Sequence, residues 1–294
     1  MSVVKSTLTL IKSRPEAIFI WSWCTLIACL IVSRGYPPLG PTFLAIGSTA
    51  MLTASAYIYN DLCDAEMDRF NPDKKSRPLA SGEVSEKFAY RFIVITGVLG
   101  LGISFMINRM AFLFSAVYYI LFMLYSWPVV RFKKMFLLKE IVTCSAWPLL
   151  ALVGVYAVTG HFSLSGIFAG VMMGVFSFLG LPALSDSLDE KEDTMFEINS
   201  LARSLSWKRR IELLGAAILI MMIVTTLTYI QLGFNTLLPI TVVGSSLILL
   251  RFVVPIYNGF DRDKVQKVRT VTYLYVIMSQ IFIVLGSLSL QLPF

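Results

Sequence analysis

Charge is scarce in this chain. Only 15% of its 294 residues are Asp, Glu, Lys or Arg, against about 25% in an ordinary soluble domain. Histidine is almost missing, with His161 the single example between two apolar runs, where a loop is expected. The four cysteines, Cys24, Cys29, Cys63 and Cys144, have no metal-ligand spacing, and three lie in apolar stretches. Zinc-type His/Cys centres and disulfide scaffolds are therefore excluded, and the thiols read as small buried apolar groups. The basic N-terminal segment (Lys5, Lys12, Arg14) lacks a small-residue cleavage site before the first apolar run, so no cleavable signal peptide is expected.

What fills the chain instead is hydrocarbon. Hydrophobic residues make up 56% of it and the mean hydropathy is +0.74. Disordered and fibrous classes fail on these values, and an all-α integral membrane protein remains. A spanning helix needs roughly 20 mostly apolar residues. Nine stretches qualify: Ala17–Val32, Pro41–Tyr59, Phe92–Ile107, Ala111–Trp127, Leu138–Val158, Leu164–Leu184, Ile211–Ile230, Leu232–Leu250 and Val271–Leu290. The third is short, and Gln231-Leu232-Gly233 gives little turn between the seventh and eighth. Continuous hydrophobicity excludes the alternating strands of a membrane barrel.

The charges that are present sit on one side. With the N-terminus placed in the cytoplasm, every Lys and Arg except Arg34 and Arg109 falls in the N-terminal segment or after an even-numbered span. The positive-inside rule then puts the C-terminus on the opposite side, in what we expect to be the plasma membrane. The net charge of +7 is accounted for by these loops, and nucleic acid is not expected as a partner. Acidic residues follow the same face, which that rule does not demand.

They gather in two clusters. Asn60, Asp64 and Asp68 are spaced i, i+4, i+8 after span two, which on a continuing helix stacks them on one face. Asp186, Asp189 and Asp193 are spaced i, i+3, i+7 after span six. Stacked carboxylates repel unless a cation sits among them. Mg²⁺ suits an all-oxygen set whose remaining ligands come from a phosphate, and Mn²⁺ is an acceptable substitute. Two such faces on one membrane side point to a shared metal–diphosphate site. Glu190, Glu192 and Glu197 are expected to face solvent, and Asp261 and Asp263 to lie in a loop.

At these residues the chain resembles the UbiA family of intramembrane prenyltransferases. Asn60–Asp68 is similar to its NDxxDxxxD motif, and Asp186–Asp193 to its second Asp-rich motif, with Glu192 where the family often has Gly. Asn71 with Arg77-Pro78-Leu79-Ala80-Ser81-Gly82, and Tyr125-Ser126 with Arg131 and Lys133, resemble further family segments, as does Arg14-Pro15. The resemblance implies one polytopic domain over residues 1–294, a bundle of about nine transmembrane helices in two pseudo-similar halves, with the Asp motifs on the cytoplasmic side. It implies transfer of an isoprenyl group from a polyprenyl diphosphate, for example geranylgeranyl diphosphate, to a lipophilic acceptor. That acceptor is a quinone-precursor aromatic or a prenylglyceryl phosphate. On this reading Asn60, Asp64, Asp68, Asp186, Asp189 and Asp193 hold Mg²⁺, with Asp64, Asp68, Asp189 and Asp193 essential to catalysis. Arg77, Tyr125, Arg131 and Lys133 contact the diphosphate. The competing reading is a multi-span transporter or channel with acidic cytoplasmic loops, but transporters place their ionisable groups near the bilayer midplane. The Asp-Gly-x-x-Ala-Arg signature of CDP-alcohol phosphotransferases is absent.

Overall fold

The computed structural model describes residues 2–71, 74–190, 194 and 198–289, and these are helical with no strands. The helices are α1 (Val3–Lys12), α2 (Pro15–Val32), α3 (Leu39–Asp68), α4 (Glu86–Ile107), α5 (Arg109–Ser126), α6 (Leu138–Thr159), α7 (Leu164–Gly180), α8 (Ser185–Leu188), α9 (Leu201–Ser204), α10 (Trp207–Thr228), α11 (Leu237–Val253) and α12 (Arg262–Ser287). Among the described residues nine segments are long and apolar enough to cross a membrane, one for each stretch expected from the sequence. Val94, Ile95, Val98, Ile223, Leu227, Ile240, Leu247 and Leu274 are exposed. Lipid tails accept such exposed apolar side chains on helices of this length.

Helix ends follow local chemistry. Pro15 opens α2 at the position where its missing N–H is not needed. The Ser85 side chain caps α4, and Asn108 caps α5 by accepting from the Ala111 N–H. The last helix starts nine residues earlier than expected, because Asp261 caps it through the N–H groups of Asp263 and Lys264. Asp261 and Asp263 are thus a cap and a first-turn residue rather than loop. A hydropathy window loses this charged first part of the helix.

Contacts divide the chain into two compact units, residues 1–26, 38–132 and 149–162 in one and 27–37, 133–148 and 163–294 in the other. In the first unit α3, α4 and α5 pack together. Polar atoms inside it are satisfied locally: Ser48 donates to the Gly100 carbonyl, Ser55 to that of Ile93, and Thr53 meets the Tyr118 hydroxyl. Such small polar side chains join helices where lipid gives no hydrophobic drive. The α3–α4 seam is close enough that a Cβ on Gly100 would stand 2.7 Å from Leu52. Amphipathic α1 buries Leu10 in a cluster with Ala54, Ile58, Leu79, Val84 and Phe92. In the second unit α10 packs on α7 and α11, and α11 on α12.

Candidate active site

The first motif rides on the end of α3. At 1.5 Å per residue a 30-residue helix is about 45 Å long, well beyond the roughly 30 Å hydrocarbon core. Asn60 to Asp68 form its last turns as regular helix, so the i, i+4, i+8 stack is realised. Asp64 and Asp68 are buried. Burying a carboxylate is costly unless it is paired, and here each is. Arg77 donates to Asp68 at 2.7 Å, and Arg131 to Asp64 at 3.1 Å. Asn60 accepts from Ser126 at 2.9 Å, which ties the end of α5 to the motif. Tyr125, next to Ser126, stacks on Phe122 with ring centroids 6.3 Å apart.

Two of these residues come from loops. Arg131 adopts a left-handed backbone with φ 49°, a conformation that costs a non-glycine residue about 1–2 kcal/mol. Its N–H closes the turn on the Trp127 carbonyl at 2.7 Å. The strain sits on the residue that reaches Asp64, where functional sites commonly store it. Arg77 belongs to the turn-rich segment after α3, held by Lys75 N–H to Asn71 and Ser81 N–H to Arg77 bonds.

Asp61 was absent from the expected set, yet it is among the most buried carboxylates, 2% exposed. Arg14 grips it with two nitrogens, and Arg77 donates to it at 3.2 Å. Burial opposes the Arg14 charge, but Asp61 outweighs that and holds the guanidinium more firmly protonated than usual. Arg14 also lies over the Tyr57 ring, 5.9 Å from its centroid. Three carboxylates therefore face three guanidiniums in this unit: Asp61, Asp64 and Asp68 with Arg14, Arg77 and Arg131. The sequence did carry a signal, since Asp61 directly follows Asn60.

The second motif is built differently. After a 3₁₀ turn at Leu181–Ala183, helix α8 spans only Ser185–Leu188. Asp186 is buried on it, whereas Asp189 is an exposed C-cap with φ −93° and ψ 2°. The helix ends there, with the Asp189 N–H making its last bond to the Ser185 carbonyl at 3.1 Å. Asp193, Glu192 and Glu197 lie outside the described residues. Lys139 pairs with Asp186 at 3.1 Å, and Glu140, 1% exposed, accepts the Leu201 N–H at 2.6 Å. Neither had been expected. Lys133 is buried within this unit. Glu190 does not simply face solvent: Arg210 clamps both its oxygens, at 2.7 and 3.1 Å, and draws its carboxyl below the usual range.

Among the described residues no three His, Cys, Asp or Glu side chains gather closely enough to enclose a metal by themselves. The donors are nonetheless all oxygen, which fits a cation bound through one or two carboxylates and completed by phosphate oxygens.

Residues 21–282 match the model of the UbiA prenyltransferase family. A 4-hydroxybenzoate octaprenyltransferase of Shewanella sp. (strain W3-18-1) is 32% identical over 126 residues, which cover 42% of this chain and 44% of that protein. The Shewanella loihica protein of the same name is 34% identical over 122 residues, 42% of each chain. The chain thus matches under half the length of these curated relatives. A solved structure described as digeranylgeranylglyceryl phosphate synthase superposes with a TM-score of 0.72 at 22% identity, covering 99% of this chain and 100% of that one. A UbiA homologue from Archaeoglobus fulgidus bound to GPP and Mg²⁺ gives 0.66 at 17% identity, covering 94% and 99%. Both likenesses concern the fold.

Proposed function

The chain belongs to the UbiA prenyltransferase family, and from that premise we propose that it transfers an isoprenyl group from a polyprenyl diphosphate to a lipophilic acceptor, releasing diphosphate. The observation that carries this reading is the end of α3, where two buried carboxylates, Asp64 and Asp68, each hold a guanidinium donor. The reaction breaks the bond between the allylic carbon and its oxygen, and the electron pair leaves with diphosphate. The acceptor supplies the pair for the new bond and then loses a proton.

Diphosphate is a poor leaving group until its charge is offset. Mg²⁺, or Mn²⁺ in its place, supplies part of that offset when bound by Asn60, Asp64 and Asp68 and by Asp186, Asp189 and Asp193. Arg77 and Arg131 present charged donors, which form bonds roughly twice as strong as neutral ones. Lys133 and Tyr125 add donors. The apolar helices around the site keep water from the allylic cation, and the aromatic rings near Tyr125 offer it a favourable face. Both Asp motifs act within one domain, residues 1–294.

Geranylgeranyl diphosphate is a suitable donor to begin with. For the acceptor, the curated relatives favour an aromatic such as 4-hydroxybenzoate, and a prenylglyceryl phosphate is the second candidate. The protein resides in the plasma membrane with its N-terminus and both acidic clusters in the cytoplasm and its C-terminus opposite. The test is to incubate purified protein with labelled geranylgeranyl diphosphate, Mg²⁺ and each acceptor. Labelled product and free diphosphate are expected with one acceptor and lost in excess EDTA. Full transfer in EDTA would overturn the metal role, and no transfer to any lipophilic acceptor would overturn the activity.

A further inference from the structure

Helix α8 carries Asp186 and leads to Asp189, yet it is four residues long. Isolated helices below about 12 residues are marginal even in favourable sequences. Its orientation must therefore come from tertiary contacts. Lys139 holds Asp186 and Tyr273 meets Ser185, but one side chain reaches several parts of the segment at once. Arg210, in the first turn of α10, is 6% exposed and donates to four acceptors. These are the Leu205 carbonyl at 3.0 Å, Ser187 Oγ at 3.0 Å, and the two Glu190 oxygens at 2.7 and 3.1 Å. Ser187 passes the contact on by donating to the Pro182 carbonyl at 2.6 Å. One guanidinium thus joins the 3₁₀ turn before α8, α8 itself, the residue after Asp189, and the start of α10.

The placement is unfavourable on local grounds. A cation in the first turn opposes the helix dipole, α10 has no acidic residue in that turn, and burial penalises the charge further. Lys208 and Arg209 beside it serve the cytoplasmic charge pattern from the surface, but a buried, four-fold bonded arginine does not. Four of its five N–H donors are committed to protein acceptors, which sets it apart from a residue free to bind diphosphate.

We propose that Arg210, acting through Ser187 and Glu190, is a positioning residue that sets the orientation of Asp186 and Asp189 toward the metal-bound diphosphate. The inference rests on the functional reading above, in which those two carboxylates bind that group. Residues that orient metal-binding carboxylates from behind typically cost 10–100-fold in metal affinity when changed.

The test is direct binding, without turnover. Labelled geranyl diphosphate is equilibrated with detergent-solubilised protein over a Mg²⁺ titration, with the thermal midpoint recorded alongside. Glu190→Gln keeps the shape but loses the charged fork, and Arg210→Lys keeps the charge but cannot span both oxygens. Each is expected to raise the half-saturating Mg²⁺ about tenfold, with binding restored at high Mg²⁺ and the thermal midpoint close to wild type. Should Arg210→Lys fold poorly, Glu190→Gln and Ser187→Ala carry the test. Wild-type Mg²⁺ dependence in the folded variants overturns the positioning role, as does weakened binding that excess Mg²⁺ cannot restore. Asp189→Asn is measured in parallel. If it binds as wild type does, the reading of the second motif as a diphosphate site falls, and the inference with it. If it loses binding while Glu190→Gln does not, only the role of Arg210 is refuted.

Discussion

The two acidic motifs use the same residue types at similar spacings, but their supports differ in kind. Asn60, Asp64 and Asp68 stand on the last turns of a 30-residue helix, so their backbone is fixed by the bonds that make the helix. Asp186 and Asp189 stand on and beside a four-residue helix after a 3₁₀ turn, so theirs is fixed by side chains reaching in from elsewhere: Lys139 and Arg210. The first motif carries its guanidiniums on the carboxylates themselves, whereas the second is braced from behind as well. A carboxylate array can thus be oriented by secondary structure or by tertiary struts. The first is robust to changes nearby, and the second is exposed to them.

The largest effect should come from removing charge in either motif. Asp64→Asn and Asp189→Asn are each expected to lower transfer by on the order of 10²–10³-fold, the scale of losing one electrostatic stabiliser of a transition state. Both variants should remain folded, with the Asp64 variant the less stable because it leaves Arg131 unpaired. If both motifs act on one diphosphate, the double variant should be scarcely worse than either single one, because residues acting as a unit are non-additive. Transfer rates at saturating acceptor decide this. Modest losses that multiply would mean that the two motifs do not share a leaving group, and the comparison would become one between separate sites.

Next in size is Arg77→Ala. Arg77 donates to Asp68 and Asp61 at 2.7 and 3.2 Å, and on our reading it also meets the diphosphate. Loss of a charged hydrogen bond is worth roughly 1.5–3 kcal/mol, about ten- to a hundredfold in apparent donor affinity, with acceptor affinity spared. An unchanged donor KM would reduce Arg77 to a brace of Asp61 and Asp68, making the first motif more like the second.

The sequence made much of this legible, and the exceptions have physical causes. Nine spans follow from hydropathy alone, because lipid imposes a continuous apolar run on each helix. The first motif could be placed because it extends a helix already in phase. Asp61 was passed over because it lies off the i, i+4 row, and what marks it is burial between Arg14 and Arg77, which depends on loops. Arg210 is one of three basic residues in a row, and nothing local separates the buried one from its neighbours. The end of α8 at Leu188 escaped because an acidic run fits a helical face or a turn equally well. Lys139 and Glu140 meet partners 47 and 61 residues away, a distance that no spacing pattern reports.

A smaller effect tests the rigidity of the first support. Gly100→Ala would place a methyl 2.7 Å from Leu52 and 3.2 Å from the Ser48 carbonyl. Overpacking of this kind costs typically about 1–3 kcal/mol, so the thermal midpoint should fall. Gly102→Ala, on the same helix with nothing within 4 Å of the new atom, should be neutral or slightly stabilising, since Ala is the better helix former by about 1 kcal/mol. If the two variants unfold alike, the α3–α4 seam is looser than its geometry indicates. The contrast in support between the motifs then weakens.

The smallest effect concerns acid and the second support. Arg210 holds the Glu190 carboxyl below its usual range, through the paired hydrogen bond first, against the opposing effect of burial, with charge attraction from Arg210 and Arg203 adding less. A carboxylate with a depressed pKa in the folded state stabilises that state fully above its unfolded pKa, about 4.3. The contribution disappears as pH falls through the lower folded value. Wild type should therefore lose stability below about pH 4.3 by more than Glu190→Gln does, and the two should converge at the acid end. The Glu190 side chain is 44% exposed, so solvent screening keeps the difference small. Thermal midpoints of the two proteins between neutral pH and pH 3 supply the comparison. A constant offset across that range would show that the brace acts through shape and hydrogen bonding and not through the Glu190 charge. In that case Arg210 would draw its grip on α8 from Ser187, and the second motif would be indifferent to acid at this point.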